Sequence, residues 1–313
     1  MFDFIGDIHG HSSALESLLT KLGYKKEEGI YRHSSRRAFF LGDFIDRGPD
    51  SKGVVQLVRR MVEAGQAKAI MGNHEWNAIQ YHTKGQDGHY LRTRSNKNRN
   101  QHAATLESYE SQDYISQELA SDLEWFRSLP LFYEGDGFRA VHATWNPDTL
   151  SYLKQNYPDG IVDHRFIARA VVKSSPEYAS ADILLKGQES DLPDELHFQD
   201  KDGNLRSRAR IKWWMRPEKD SISRFRPQDL LFIPEDRHIS GTPALELREF
   251  PGYARQEPPV FFGHYWKRFP PELEAHNVCC LDYSVARGGH LMAYRWNGEQ
   301  KLDKSNFLFV ASK

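Results

Sequence analysis

Gly6-Asp7-Ile8-His9-Gly10 and Gly42-Asp43-Phe44-Ile45-Asp46-Arg47-Gly48 decide how the chain reads. Each follows directly on a short strand-like run, Phe2 to Ile5 and Ala38 to Leu41. Gly72-Asn73-His74-Glu75 after Ala67–Met71, His142-Ala143 after Phe138–Val141, and Gly263-His264 after Val260–Phe262 repeat the construction. Polar residues at the carboxyl ends of buried strands point into the crevice where open α/β sheets bind ligands. A glycine at a sharp strand exit tolerates dihedrals that other residues resist. The motifs are therefore expected to converge on one site.

Between the first three motifs the pattern turns helical. Leu15, Leu18, Leu19 and Leu22 recur at helical spacing, with Ser13 and Glu16 as an expected capping box and Gly23 as the stop. Val54, Leu57, Val58, Met61 and Val62 form a second apolar stripe ending at Gly65. This βαβαβ order predicts a largely parallel, helix-covered sheet. Leu291 to Trp296 and Phe307 to Val310 read as further strands. Residues 76 to 128 read as mostly helical and polar. Leu91 to His102, with Arg92, Arg94, Lys97 and Arg99 and no acid, reads as an exposed loop rather than a lid. Residues 146 to 255 hold scattered prolines without clean periodicity. The expectation is one domain over 1–313, with insertions at about 85–120 and 146–255.

Composition narrows the classes. With 313 residues, 39% hydrophobic and 27% charged, the chain can bury a large core, and its net charge of −1 gives no global pull toward nucleic acid or membrane. No apolar segment reaches the roughly 20 residues of a membrane span, and the N-terminus shows no secretory pattern. Cys279 and Cys280 are adjacent, unsuited to a structural disulfide, and sit in an apolar run. Buried reduced thiols and a cytoplasmic location are the expectation.

The candidate ligands in the motifs are Asp, His and Asn, without a cysteine thiolate. Mixed carboxylate and imidazole donors suit Mn²⁺, Fe or Zn²⁺ in a hydrolytic site rather than structural zinc. Two such ions about 3.5–4 Å apart clamp the attacking and leaving oxygens of a displacement at phosphorus. That chemistry needs a central bridging carboxylate, and Asp43 is the candidate.

The ordered set GDxHG, GDxxDRG, GNHE, His and GH resembles the calcineurin-like metallophosphoesterases, specifically their phosphoprotein-phosphatase branch. The resemblance covers residues 6 to 264. It implies an α/β fold, a four-layer αββα sandwich of two mixed sheets flanked by helices, with inserted cap segments. It implies two divalent metal ions, Mn²⁺ foremost. Asp7 and His9 would hold the first ion, Asn73, His142 and His264 the second, and Asp43 would bridge. A hydroxide between the metals would attack phosphorus. His74 would be the general acid, oriented by Asp46, and Arg47 and Asn73 would grip the phosphate. Substrates would be phosphoproteins, small phosphoesters or nucleotide polyphosphates, with nucleic acid as a substrate only and no membrane partner. His142-Ala143-Thr144-Trp145 is similar to bacterial members. Leu281-Asp282-Tyr283-Ser284 with Gly288-Gly289-His290-Leu291, and Trp125 to Leu131, resemble the symmetrical diadenosine tetraphosphatases. Those relatives lack the second acid of GDxxDRG, which is Asp46 here. A catalytically silent scaffold is expected to have lost a ligand or the acid histidine, and none is lost.

Other polar residues read more plainly. Glu75 is expected to brace its loop, and His11 to be a loop histidine. His33, His82, His89, His102 and His164 lack supporting spacing and read as surface or packing residues. Arg206, Arg208, Arg210 and Lys212 recur at period two, so a strand would place them on one face, with Trp213 and Trp214 next. This is either a wall for a polyphosphate or nucleic-acid backbone, with aromatics for stacking, or a solvated strand face. Arg208 and Arg210 are candidates for a second phosphate clamp, and Arg237 is another.

Overall fold

The computed structural model describes residues 1–312 except 112–113, 158–159, 193, 195–196, 200–204, 217–226 and 233–251. Arg237 lies outside the described residues. Numbering the core strands in chain order, β1 (Phe2–Ile5), β2 (Arg37–Phe40) and β3 (Ala67–Ala69) are parallel neighbours, as the βαβαβ order predicts. Then follow β4 (Phe132–Gly135), β5 (Phe138–Val141), β6 (Val260–Phe262), β7 (Val278–Cys280), β8 (Asp282–Tyr283), β9 (His290–Trp296) and β10 (Phe307–Ala311). A six-stranded mixed sheet runs β8-β9-β1-β2-β3 with β10 on β9, and a four-stranded mixed sheet runs β7-β6-β5-β4.

The two sheets face each other through side chains selected by strand alternation. Phe4, Phe39, Leu41, Phe138, Phe261, Met292 and Tyr294 share one buried cluster between them. The rings of Phe4 and Phe261 stack at 3.7 Å and 10° across the interface. Ile5 and Phe40 point the other way, into the cluster that Leu15, Leu18, Val54 and Val58 bring from the helices. Burying each such side chain contributes about 1.5–3 kcal/mol. Cys279 and Cys280 also alternate, one into each cluster, which is why both are free thiols.

Helices α1 (Ser12–Lys21) and α2 (Ser51–Glu63) cover the six-stranded sheet; α3 (Asn73–His82), α4 (Asn96–Ser108) and α5 (Gln117–Ser128) follow. Two helix readings need correction. Helix α1 starts at Ser12 after His11, with no side-chain cap, so Ser13 is not its cap. The expected loop at 91–102 is helical from Asn96, where the Ser95 hydroxyl caps by accepting from the Asn98 amide. Its apolar periodicity is weak because the face it buries carries His102 and Thr105. In the 146–255 stretch, Pro147 and Pro176 open α6 (Pro147–Asn156) and α8 (Pro176–Lys186), with α7 (His164–Arg169) between them. Proline is tolerated at a first helical position, so these prolines start helices instead of breaking them. Among the described residues, no helix is long and apolar enough to cross a membrane.

One pairing detail sets up the site. Strands β1 and β8 occupy the same edge of β9: Ile5 lies opposite Ala293 and Asp282 opposite Leu291, while the Gly6 amide donates to Met292 O at 3.1 Å. The end of β1 therefore abuts β8, and Asp7 meets Asp282.

Candidate active site

All the motif loops leave their strands at the same edge of the two sheets. The Ile8 and His9 amides both donate to Asp43 O, at 3.0 and 2.8 Å, which locks the first loop to the second. His9, Asp43, Asp46, Arg47 and His264 have φ between 48° and 71°. Non-glycine residues in this left-handed region are strained, and such strain collects at functional sites when the surroundings impose it. Glu75 does the imposing at the second loop. Its Oε2 accepts from the Asp43 and Gly72 amides at 2.8 and 3.0 Å, and its Oε1 from the Phe44 and Ile45 amides at 2.8 and 3.3 Å. A Cβ on Gly72 would sit 2.2 Å from the Asp43 nitrogen, so this close approach needs glycine.

The donor atoms fall into two groups that share Asp43: His9 with His74, and His142 with His264. The ring orientations are set from behind. His9 Nδ1 donates to Ile45 O at 3.1 Å and His142 Nδ1 to Leu41 O at 2.8 Å, turning each Nε2 toward the Asp43 carboxylate, at 3.6 and 3.4 Å. Asn73 Oδ1 lies 3.1 Å from His142 Nε2. The His264 amide reaches Asp7 Oδ2 at 3.2 Å, while its buried Nε2 has no partner.

These residues fit a pair of cations. The unpartnered His264 nitrogen is a lone pair aimed at nothing in the protein. Burial and the Arg210 charge hold that imidazole well below its ordinary range, and burial and Arg47 do the same to His9, so both are neutral donors. Asp7 and Asp282 are buried side by side. Burial, then the Asp282 charge, pushes the Asp7 carboxyl well up, and burial pushes Asp282 up. A cation between them would remove that repulsion.

His74 stands apart. Its Nδ1 bonds Asp46 Oδ2 at 2.6 Å, leaving Nε2 4.0 Å from Asp43 Oδ2. Burial opposes its charge, but Asp43 and Asp46 outweigh that and raise its pKa. Asp46 is in turn held on its other oxygen. Oδ1 accepts from His102 Nδ1 at 2.8 Å and from the Thr105 hydroxyl at 2.6 Å, and His102 Nε2 lies 3.1 Å from His82 Nε2. This corrects the reading of His82 and His102. His102 is buried and both lie in a polar chain that starts at the site. Neither has a sequence signal, because the contacts span 20 and 56 residues. His11 is a loop histidine as expected, its Nδ1 near Ile8 O and His9 O.

Of these donors all but the fully buried His142 line a cavity of ≈ 280 Å³ with Arg47, Arg206, Arg210 and Trp266. Arg47 is exposed, its Nη1 3.2 Å from His9 Nε2. The period-two reading holds only in part. Leu205–Arg206 and Arg208–Ile211 are separate strands, and Arg208 faces a neighbouring cavity instead of this one. Trp213 and Trp214 are 0% and 7% exposed, and the Trp213 indole donates to Ala143 O at 3.0 Å. They are core residues and offer no stacking face. Asp282, part of the tail motif Leu281-Asp282-Tyr283-Ser284, has no signal of a site role in the sequence, because its place beside Asp7 comes from the shared edge of β9.

The family profile described as calcineurin-like phosphoesterase matches residues 1–208. Asymmetrical bis(5′-nucleosyl)-tetraphosphatase PrpE of Oceanobacillus iheyensis is 51% identical over 73 residues, 23% of this chain and 29% of that protein. The Bacillus subtilis PrpE is 38% identical over 85 residues, 27% and 34% of the two chains. The matched stretch thus spans about a third or less of these relatives. Among solved structures, a protein serine/threonine phosphatase from Saccharomyces cerevisiae aligns at TM-score 0.47 and 16% identity, over 99% of this chain and 78% of that one. A metallophosphoesterase from Sphaerobacter thermophilus aligns at TM-score 0.30 and 24% identity, over 46% of each. With the profile covering β1 to β5 and the loops that carry Asp7, Asp43 and His142, the chain belongs to the calcineurin-like phosphoesterases.

Proposed function

We propose that this protein hydrolyses phosphate esters with two divalent metal ions, Mn²⁺ foremost and Fe or Zn²⁺ as alternatives. One observation carries the reading: Asp43 belongs to both groups of candidate metal donors. Asp7 and His9 would hold one ion, Asn73, His142 and His264 the other, with Asp43 between them. Ions so held polarise phosphoryl oxygens and lower the pKa of water toward neutrality.

The chain's own residues then have distinct tasks. Arg47 offers a planar guanidinium to the phosphate oxygens, with Asn73 beside it. Arg210, which lines the same cavity, serves as a second clamp, and Arg208 lines the neighbouring cavity instead. His74 presents Nε2 to the cavity while Asp46 holds Nδ1, so a proton can pass from Nε2 to the departing oxygen. The insertions at about 85–120 and 146–255 are read as parts of one metallophosphoesterase domain, because they bring His102, Arg206 and Arg210 to it. The buried thiols of Cys279 and Cys280 fit a cytoplasmic setting.

Phosphate release from p-nitrophenyl phosphate with Mn²⁺, Fe²⁺ or Zn²⁺ added tests the reading. No release with any of them overturns it. His74→Asn should keep its metal and lose about 10²–10⁴-fold in turnover of an alkyl phosphate, whose leaving oxygen needs the proton; Asp43→Asn should lose bound metal as well. A second reading, hydrolysis of dinucleoside polyphosphates, is favoured by the identity with PrpE and by the arginines over the cavity. Phosphoproteins and small phosphoesters are the competing substrates. Turnover of diadenosine tetraphosphate, RNA 2′,3′-cyclic phosphate and phosphopeptides separates them.

A further inference from the structure

The cavity over the metal donors continues past its arginines. Arg206, Arg210 and Trp266 also wall a second cavity of ≈ 150 Å³, whose lining includes Phe198, Phe232 and Arg208. Phe198, Phe232 and Trp266 are each half-buried, so each ring keeps part of its surface open. The Phe232 ring meets Tyr265 at 5.4 Å and Trp266 at 5.2 Å, both edge to face. Tyr265 is fully buried, and its hydroxyl donates to Ile211 O at 3.1 Å. The aromatic group is therefore built on the segment that starts at His264, and its distance from the metal donors is fixed by two residues of backbone.

The geometry points to a base-binding subsite: the second cavity takes the nucleobase of a nucleotide whose phosphate chain crosses Arg206 and Arg210 to the metal donors. This inference rests on the phosphoesterase reading and names its substrate class. Three features carry it. The two cavities share walls, as a substrate that reacts at one end and is recognised at the other requires. The shared wall is basic, which suits an anionic connector and would repel a cationic one. Beyond it Phe198 and Phe232 line the cavity together with Arg208, Ala209 and Glu189, and aromatic faces stack any base without reading its identity. A small phosphomonoester fills only the first cavity. Arg210 is braced for the connecting role, since its Nε donates to Lys186 O at 2.6 Å. Arg208 is drawn to the rim by Asp191 and Glu189, at 3.0 and 3.7 Å. The stacking group is thus Phe198, Phe232 and Trp266, in place of the tryptophan pair at 213–214.

Calorimetric binding of ATP and of inorganic tripolyphosphate to the Mn²⁺-loaded protein tests the subsite independently of turnover. ATP should bind about tenfold to a hundredfold more tightly than tripolyphosphate, the range that one stacked base supplies. In Phe232→Leu and Trp266→Leu, which keep apolar volume but remove a ring face, that ratio should collapse toward one. The ratio of kcat/KM for diadenosine tetraphosphate over p-nitrophenyl phosphate should fall in parallel. Equal affinities for ATP and tripolyphosphate in the unmodified protein overturn the subsite. So does an ATP preference that survives in both variants. Failure to hydrolyse p-nitrophenyl phosphate alongside a strong ATP preference removes the phosphoesterase reading and leaves the base site standing.

Discussion

Asp46 Oδ1 and His102 Nδ1 lie 2.8 Å apart, so the carboxylate that holds His74 is itself gripped from behind by helix α4. Burial opposes its charge, but His102 and His74 hold the Asp46 carboxyl far below the carboxylate range, and it stays ionised at any working pH. An ionised Asp46 with both oxygens engaged has one orientation available, and His74 inherits it.

His102 is therefore a positioning residue for the proton donor, and its loss should depend on how much the leaving group needs a proton. His102→Ala should lower kcat about tenfold for alkyl phosphates, whose oxygens leave poorly, and much less for p-nitrophenyl phosphate. KM should hold within a factor of about two, since ground-state binding does not pass through this contact. Rates across a leaving-group series measure it. An equal loss on every substrate would make His102 merely structural.

Asp282 lies beside Asp7 because β1 and β8 share an edge of β9, and its Oδ1 accepts from the Ser284 amide at 2.9 Å. Asp282→Asn should weaken Mn²⁺ binding about 10- to 100-fold, the usual cost of removing a supporting carboxylate. Saturating Mn²⁺ should restore most of kcat. Metal titration followed by activity reads both effects. Unchanged affinity would confine Asp282 to the fold.

Much of this was legible in the chain, and what was not has a physical cause. Strand-plus-glycine motifs announce themselves because the strand, the exit and the ligand are adjacent, which is why Asp7, Asp43, Asn73, His142 and His264 come together as read. Partners supplied by tertiary packing leave no local mark. His102 sits in a helix with polar residues on the face it buries, and Asp282 reaches the site through register alone. The period-two arginines hold in part, since all three line the second cavity although Ser207 interrupts the strand; the stacking role of Trp213 and Trp214 does not, since both are packed into the core and the Trp213 indole donates to Ala143 O.

Glu75 braces the Asp43 loop through four backbone amides, and no substitution can replace a carboxylate with two accepting oxygens there. Glu75→Ala should cost about 3 kcal/mol or more, since four buried amide donors are left unpaired. It should also loosen Asp43, so bound metal should fall together with stability. Chemical denaturation and metal analysis on the same sample check the pair. Full metal occupancy in a destabilised Glu75→Ala would separate the brace from the site.

Glu177, far from the metal donors, sets the acid limit of the helical insertion. Its Oε1 accepts from the Tyr152 and Tyr157 hydroxyls at 2.8 and 3.0 Å and from Arg169 Nε at 2.6 Å, tying α6, α7 and α8 together. Burial opposes its charge, but Arg169 and the tyrosines prevail and bring the carboxyl down to about 2. A carboxyl lower in the folded than in the unfolded chain stabilises fully above the unfolded value of 4.5, and that share is lost as pH falls toward 2. Glu177→Gln should therefore unfold about 1.5–3 kcal/mol more easily at pH 7. The gap from the unmodified protein should narrow steadily below pH 4.5, as the carboxyl it lacks takes up its proton. Urea denaturation of both proteins from pH 7 to pH 3 measures the gap, and a constant difference across that range would show that hydrogen-bond shape, not charge, holds the three helices.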